Sequence, residues 1–287
     1  MMLKNPPTKS CTIPQKPKKL KSPRPQTTNS IKSKLPKLPP TPTLQIPNQS
    51  LFLHKTPSTT QSSTTLIKML DLNSIITSGG YDLIVLNRPG LSSLYKSLYP
   101  LSQQKILTDG AATRIRDELL ETFPNYQPSL IIGDFDSCTI DESFKGIPII
   151  RAEDQDYTDL DKALDMTIQE TVIILTDFGG RLDHTLGAFN SICNQKYSQR
   201  KIFLYSKENI AFFVRNEARF KADNWKYCGI FPLCGKTLIG TTGFTWNMKN
   251  QESCFGGLVS FCNVLDREGS ITVDKPVLMV FSNESRD

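Results

Sequence analysis

The chain of 287 residues has seven cysteines but no CxxC pair, and only two histidines, His54 and His184. Neither a zinc site nor a disulfide framework is therefore expected, nor a histidine-based relay, so any chemistry must rest mainly on carboxylates. No run of about 18 apolar residues occurs, and no apolar h-region follows the start, which argues against a membrane span and a secretory signal and favours a cytoplasmic protein. A GxxxxGK[ST] loop is missing, as is a GxGxxG after the first strand, so phosphate is not held in either of those ways. Acids are missing from the whole beginning of the chain, the first being Asp71.

Bases and prolines crowd into the segment that lacks acids. Twelve of the 34 Lys and Arg and twelve of the 19 Pro lie within residues 1–70, so the net +6 combines a head of +12 with a remainder of −6. Pro, Lys, Ser and Thr dominate the head, and its few apolar residues follow no period. It is expected to be disordered, because it buries too little apolar surface to offset the entropy of ordering. A solvated tail is the plain reading, and a tether to nucleic acid or an acidic surface the sharper one. Its single arginine, Arg24, argues against an organelle address.

From about 80 to 206, near-continuous apolar runs alternate with helix-like stretches. The runs are 83–86, 105–108, 130–132, 147–150, 172–175 and 202–205; the helical spacing falls at 111–122, 158–170 and 183–196. Strand then helix, repeated, implies an α/β domain with a doubly wound parallel sheet. From 207 to 285 short strand-like pieces follow at close intervals, including 211–214, 237–239, 257–261 and 277–281, as expected of an antiparallel β-sandwich or barrel. In a parallel sheet, ligands bind beyond the carboxyl ends of the strands.

Acids stand at those ends: Asp109-Gly110, Gly133-Asp134-Phe135-Asp136, Asp154 to Asp159, and Gly179-Gly180-Arg181-Leu182-Asp183. Asp183 and Thr158 also fit helix caps. Asp134 and Asp136, if on extended backbone, would point the same way and repel unless a cation sits between them. Oxygen ligands at the mouth of a parallel sheet suit Mg²⁺ shared with substrate phosphates. Gly110, Gly133, Gly179 and Gly180 let backbone approach a ligand, and Arg181 offers a fork for phosphate. These residues point to Mg²⁺-dependent phosphoryl or nucleotidyl chemistry in an acidic cleft.

The motifs and their order resemble the eukaryotic thiamine pyrophosphokinases. Thr108 to Arg114 is similar to that family's ADGxAN turn, Gly133 to Ser137 matches GDFDS, Asp154 to Lys162 matches DQDxTDxxK, and Gly179 to His184 is similar to GGRxDH. Thr241 to Met248 is similar to TTGxxWNL, Phe255 to Asn263 to FGxLVSxxN, and Leu86-Asn87-Arg88-Pro89 to LNQP. The resemblance implies transfer of the pyrophosphoryl group of ATP to the hydroxyl of thiamine, with AMP leaving. By carry-over, Asp109, Asp134, Asp136 and Asp159 would hold Mg²⁺ and the triphosphate, and Gly110 and Gly133 would belong to the same cleft. Gln155, Thr158 and Arg181 would contact the nucleotide, with Asp183 beside them. Trp246 would stack on thiamine, Ser260 and Asn263 would add polar contacts, and Trp225 is read as core. The resemblance also implies a homodimer with sites shared between subunits. Thr113 departs from the family, which has Asn there.

Two other functions compete. Asp134-Phe135-Asp136-Ser137 mimics the DxDx turn of an aspartyl-phosphate phosphatase, although that turn follows the first strand and this one comes later. A non-catalytic thiamine or nucleotide sensor would keep the cleft without turnover; the full set of acids argues against it.

Overall fold

The computed structural model describes residues 69–283 apart from Glu153 and Gln155; the basic head up to residue 68 and the nucleotide contact expected of Gln155 lie outside this range. Strand β1 (Met69–Asp71) leads into α1 (Leu72–Thr77), whose N–H groups at Asn73 and Ser74 donate to the Asp71 carboxylate. Met69 and Leu70, counted with the head on sequence grounds, are thus part of a strand.

Six parallel strands follow: β2 (Tyr81–Val85), β3 (Ser102–Thr108), β4 (Leu130–Gly133), β5 (Ile149–Arg151), β6 (Thr171–Leu175) and β7 (Lys201–Tyr205). Their spatial order is β5-β4-β3-β2-β6-β7, so the chain reverses its direction of travel across the sheet between β2 and β6. The apolar runs reflect burial on both faces. Leu83 and Val85 pack on one side with Tyr95 of α2 (Ser92–Leu98) and Ile115 of α3 (Ala111–Leu119). Ile84 packs on the other with Leu160 of α4 (Asp159–Asp165) and Ile192 of α5 (Leu182–Cys193).

Two expected helices are shorter than their patterns. The third helix ends at Leu119 because Leu120 takes φ +44°, and α4 ends at Asp165. Beyond α4, the N–H groups of Ile168 and Gln169 donate to the buried Asp82 carboxylate at 2.6 and 2.9 Å. That gives the backbone a partner outside the helix.

The remaining strands are β8 (Asn209–Val214), β9 (Glu217–Lys221), β10 (Trp225–Phe231), β11 (Thr237–Phe244), β12 (Gln251–Ser253), β13 (Ser260–Val273) and β14 (Val277–Asn283). This half is strand-rich, and all its internal pairings are antiparallel. It continues the parallel sheet, because β8 pairs with both β7 and β14. The sheet is therefore mixed. Strand β13 changes partners along its length: Val264 is opposite Tyr227 of β10, but Leu265 is opposite Phe244 of β11. Between the resulting layers Phe212 stacks on Phe281 at 6.1 Å, with Phe220 edge-on at 5.6 Å from Phe281. Trp225 is buried with its ring edge toward Tyr205, as expected of core. The strand expected at 257–261 is instead mostly an exposed turn: Gly256 has φ +86°, and β13 begins only at Ser260.

Candidate functional site

A cleft of about 510 Å³ opens at the carboxyl ends of the parallel strands, beside the reversal between β2 and β6. Its walls come from the segments just after β2, β3 and β4 and from the first turns of α4 and α5. Asp109, Asp134, Asp136, Thr158, Asp159, Arg181 and Asp183 all line it, as expected. Asn87, Arg88, Ser137 and His184 line it too, though the sequence reading assigns them no role. The signal for Asn87 and Arg88 is positional, since they directly follow β2.

Three carboxylates converge. One oxygen each from Asp109, Asp134 and Asp159 lies within 4.8 Å of the others. Asp109 has φ +40°, and its N–H donates to Ile132 O at 2.8 Å. Its Oδ1 is buried and has no hydrogen-bond partner among the described residues. Asp159 opens α4. Burial pushes its carboxyl above the ordinary 3.8, and Asp134 and Asp109 push the same way against the pull of Lys162. Three close acids with a buried orphan oxygen suit a hard divalent cation that keeps some of its waters.

Asp136 lines the same cleft but is not among the three converging carboxylates. Phe135 has φ +64°, so residues 134–136 form a turn rather than extended backbone, in which Asp136 N donates to Asp134 Oδ1 at 3.2 Å. Asp136 is exposed, and its Oδ1 accepts from Ser137 Oγ at 2.6 Å. Arg151 lies over the Phe135 ring at 5.2 Å and donates to Asp134 O at 2.8 Å, bracing the turn.

The glycines serve packing. A Cβ on Gly133 would lie 2.8 Å from Asp109 Cβ, and one on Gly110 would lie 2.4 Å from Asn87 Nδ2. Thr158 caps α4: its Oγ1 accepts from Asp161 N at 3.1 Å, while Asp161 Oδ2 accepts from Thr158 N at 3.0 Å. Arg181 is forked to Asp183, with Nε donating to Oδ1 at 3.1 Å and Nη2 to Oδ2, which holds the Asp183 carboxyl below its ordinary range. Thr113 ties α3 to the next turn, its Oγ1 accepting from Thr139 N at 3.0 Å.

Trp246, Ser260 and Asn263 also come together, in a separate surface hollow of about 500 Å³ that shares no lining residue with the acidic cleft. Asn263 is buried and fully engaged. Its Oδ1 accepts from Trp246 N at 3.1 Å and Val264 N at 2.9 Å; its Nδ2 donates to Trp246 O at 2.9 Å and Ser260 Oγ at 3.2 Å. It therefore shapes the Trp246 loop and has no polar group left for a ligand. The Trp246 side of the hollow is open, with that residue 62% exposed.

The parallel sheet, its reversal and the clustered acids define an α/β protein with an acidic cleft at the carboxyl ends of its strands. Residues 95–204 match the family model "Thiamin pyrophosphokinase, catalytic domain", and residues 216–278 match "Thiamin pyrophosphokinase, vitamin B1 binding domain". Thiamine pyrophosphokinase 1 of Arabidopsis thaliana is 32% identical over 235 residues, covering 72% of this chain and 86% of that protein. Thiamine pyrophosphokinase 3 of Oryza sativa subsp. japonica is 29% identical over 234 residues, covering 70% and 86%. Among solved structures, thiamin pyrophosphokinase from Candida albicans superposes with a TM-score of 0.66 at 18% identity, covering 80% of this chain and 97% of that one. That likeness speaks for the fold. The chain belongs to the thiamine pyrophosphokinase family and is an enzyme of that type. Among the described residues no helix is long and apolar enough to cross a membrane.

Proposed function

We propose that the protein transfers the pyrophosphoryl group of ATP to the hydroxyl of thiamine, giving thiamine diphosphate and AMP, with Mg²⁺ as cofactor. The observation that carries this reading is the convergence of Asp109, Asp134 and Asp159 around a buried, unpartnered carboxylate oxygen. These three residues would hold the cation, which when bound neutralises the phosphate oxygens. Transfer of a phosphoryl group demands positioning and charge neutralisation more than covalent help from the protein. The thiamine hydroxyl oxygen bonds to the β-phosphorus, the bond from that phosphorus to the α–β bridging oxygen breaks, and AMP leaves; the hydroxyl proton passes to solvent or a phosphate oxygen. Asp183 keeps the Arg181 guanidinium in one orientation at the rim of the cleft.

Thiamine, flat and cationic, would stack on Trp246, with Ser260 beside it. Within one chain this hollow and the acidic cleft share no lining residue, and Phe255 and Phe261 are 71% and 68% exposed near the hollow. Both observations support a homodimer in which the Trp246 hollow of one subunit faces the acidic cleft of the other; a cytoplasmic location is part of the same proposal. The test is formation of AMP and thiamine diphosphate from ATP and thiamine with Mg²⁺, abolished by EDTA. Thiamine binding without either product would replace this reading with the sensor.

A further inference from the structure

Arg88 is half-buried in the acidic cleft and has no carboxylate partner among the described residues. Its one side-chain hydrogen bond among the described residues is long, from Nη2 to Arg181 O at 3.3 Å. Five acids line the same cleft, yet the other arginine there, Arg181, is the one forked to a carboxylate. Apart from that carbonyl, the backbone makes room for Arg88. Gly180 has φ +70°, and a Cβ on it would lie 3.4 Å from Arg88 Nη1, so the Gly179-Gly180 turn passes close against the guanidinium. The Arg88 backbone is itself turned at the end of β2, its N–H donating to Leu86 O at 2.7 Å. That strand is where the sheet order reverses, which directs the side chain to the crevice where ligands bind.

A half-buried guanidinium with most of its donors unspent is placed to bind an anion in a partly dehydrated cleft. An anion that offers two oxygens to the guanidinium fork, as a phosphate does, is the ligand that suits it. We infer that Arg88, and not Arg181, whose fork is tied to Asp183, is the arginine that contacts the phosphate oxygens of the nucleotide. Arg181 then acts as a positioning residue, its carbonyl steadying Arg88 while its side chain is tied to Asp183. This inference rests on the proposed ATP-dependent function.

The experiment is calorimetric titration of the full chain with ATP and Mg²⁺ in the absence of thiamine, comparing wild type with Arg88→Gln and Arg88→Lys. Loss of a charged, multiply hydrogen-bonded contact is expected to weaken ATP binding by about 10- to 100-fold in Arg88→Gln, with partial recovery in Arg88→Lys. The thiamine KM at saturating ATP stays within about twofold of wild type, since Arg88 faces the other substrate. ATP affinity within about twofold of wild type in Arg88→Gln overturns the inference. So does a joint fall in ATP and thiamine affinity with a lowered Tm, which marks Arg88 as a brace for the Gly180 turn. If Arg88→Gln does not fold, Arg88→Lys carries the comparison alone, and its ATP affinity must fall. Wild-type protein that binds ATP but makes no thiamine diphosphate defeats the proposed function and leaves the Arg88 measurement standing.

Discussion

Gly133 and Asp109 meet across two neighbouring strands so closely that a Cβ on the glycine would stand 2.8 Å from Asp109 Cβ and 3.0 Å from its Cα. No flexible side-chain end is available to yield. Gly133→Ala is therefore expected to cost about 1–3 kcal/mol of stability and to displace Asp109. Chemical denaturation checks the first effect and Mg²⁺-dependent turnover the second; a variant of wild-type stability and activity would mean the two strands separate easily.

Asp159 provides a pH dependence. Its carboxyl is raised above 3.8 by burial and by Asp134 and Asp109, so the folded state holds a proton there more tightly than the unfolded state. The stability due to that proton is full below pH 3.8 and is lost as pH rises through the higher folded value. In Mg²⁺-free buffer at neutral pH, Asp159→Asn should accordingly raise Tm, and it should abolish turnover. Thermal melts with and without Mg²⁺ test both parts, because the variant should also lose most of any Mg²⁺-induced rise in Tm. A lowered metal-free Tm would contradict the electrostatic account.

Trp246 and Asn263 should separate in their effects. Trp246 is 62% exposed, so Trp246→Ala is expected to change stability by less than about 0.5 kcal/mol while raising the thiamine KM. Asn263→Ala strands buried partners on Trp246 and Val264 and should cost about 1–3 kcal/mol as well as raising that KM. Steady-state kinetics beside urea unfolding distinguish the two patterns.

Cys193 Sγ lies 3.0 Å from Cys234 Sγ, a pairing across 41 residues that cysteine spacing does not reveal. Burial and the neighbouring Cys234 sulfur hold the Cys193 thiol well above its ordinary 9.0, so little thiolate exists at neutral pH. Hydrogen peroxide should link the pair, each thiol losing a proton and an electron as peroxide becomes water. The reaction should quicken as pH rises from 7 to 9. Peptide mapping of the oxidised protein checks the link, and a Cys193-free pattern at pH 9 would refute the proximity.

The parallel strands could be read from sequence because they are covered on both faces: Leu83, Ile84 and Val85 are all buried, so no polar alternation interrupts the run. Strand β9 carries the opposite signature, with Ala218 and Phe220 buried between exposed neighbours, but five residues of alternation are easily lost among charges. Asp109 and Asp159 could be placed because each follows an apolar run or opens a helix. The turn between Asp134 and Asp136 was not legible because a left-handed Phe135 leaves no trace in residue type; Phe is not a residue that favours that conformation. Arg88 was passed over because nothing local marks an arginine as unpaired. Its significance depends on Asp183, 95 positions away in the chain, having claimed the other arginine.

The pairing of β8 with both β7 and β14 has a consequence for how this gene can be cut. A polypeptide ending at residue 206 would leave Lys201–Tyr205 as an open edge, with Leu204 and Tyr205 stripped of their partners Ala211 and Ile210. Such an edge recruits other chains. The segments that match the catalytic-domain and vitamin B1 binding-domain models therefore share one sheet and are expected to fold together.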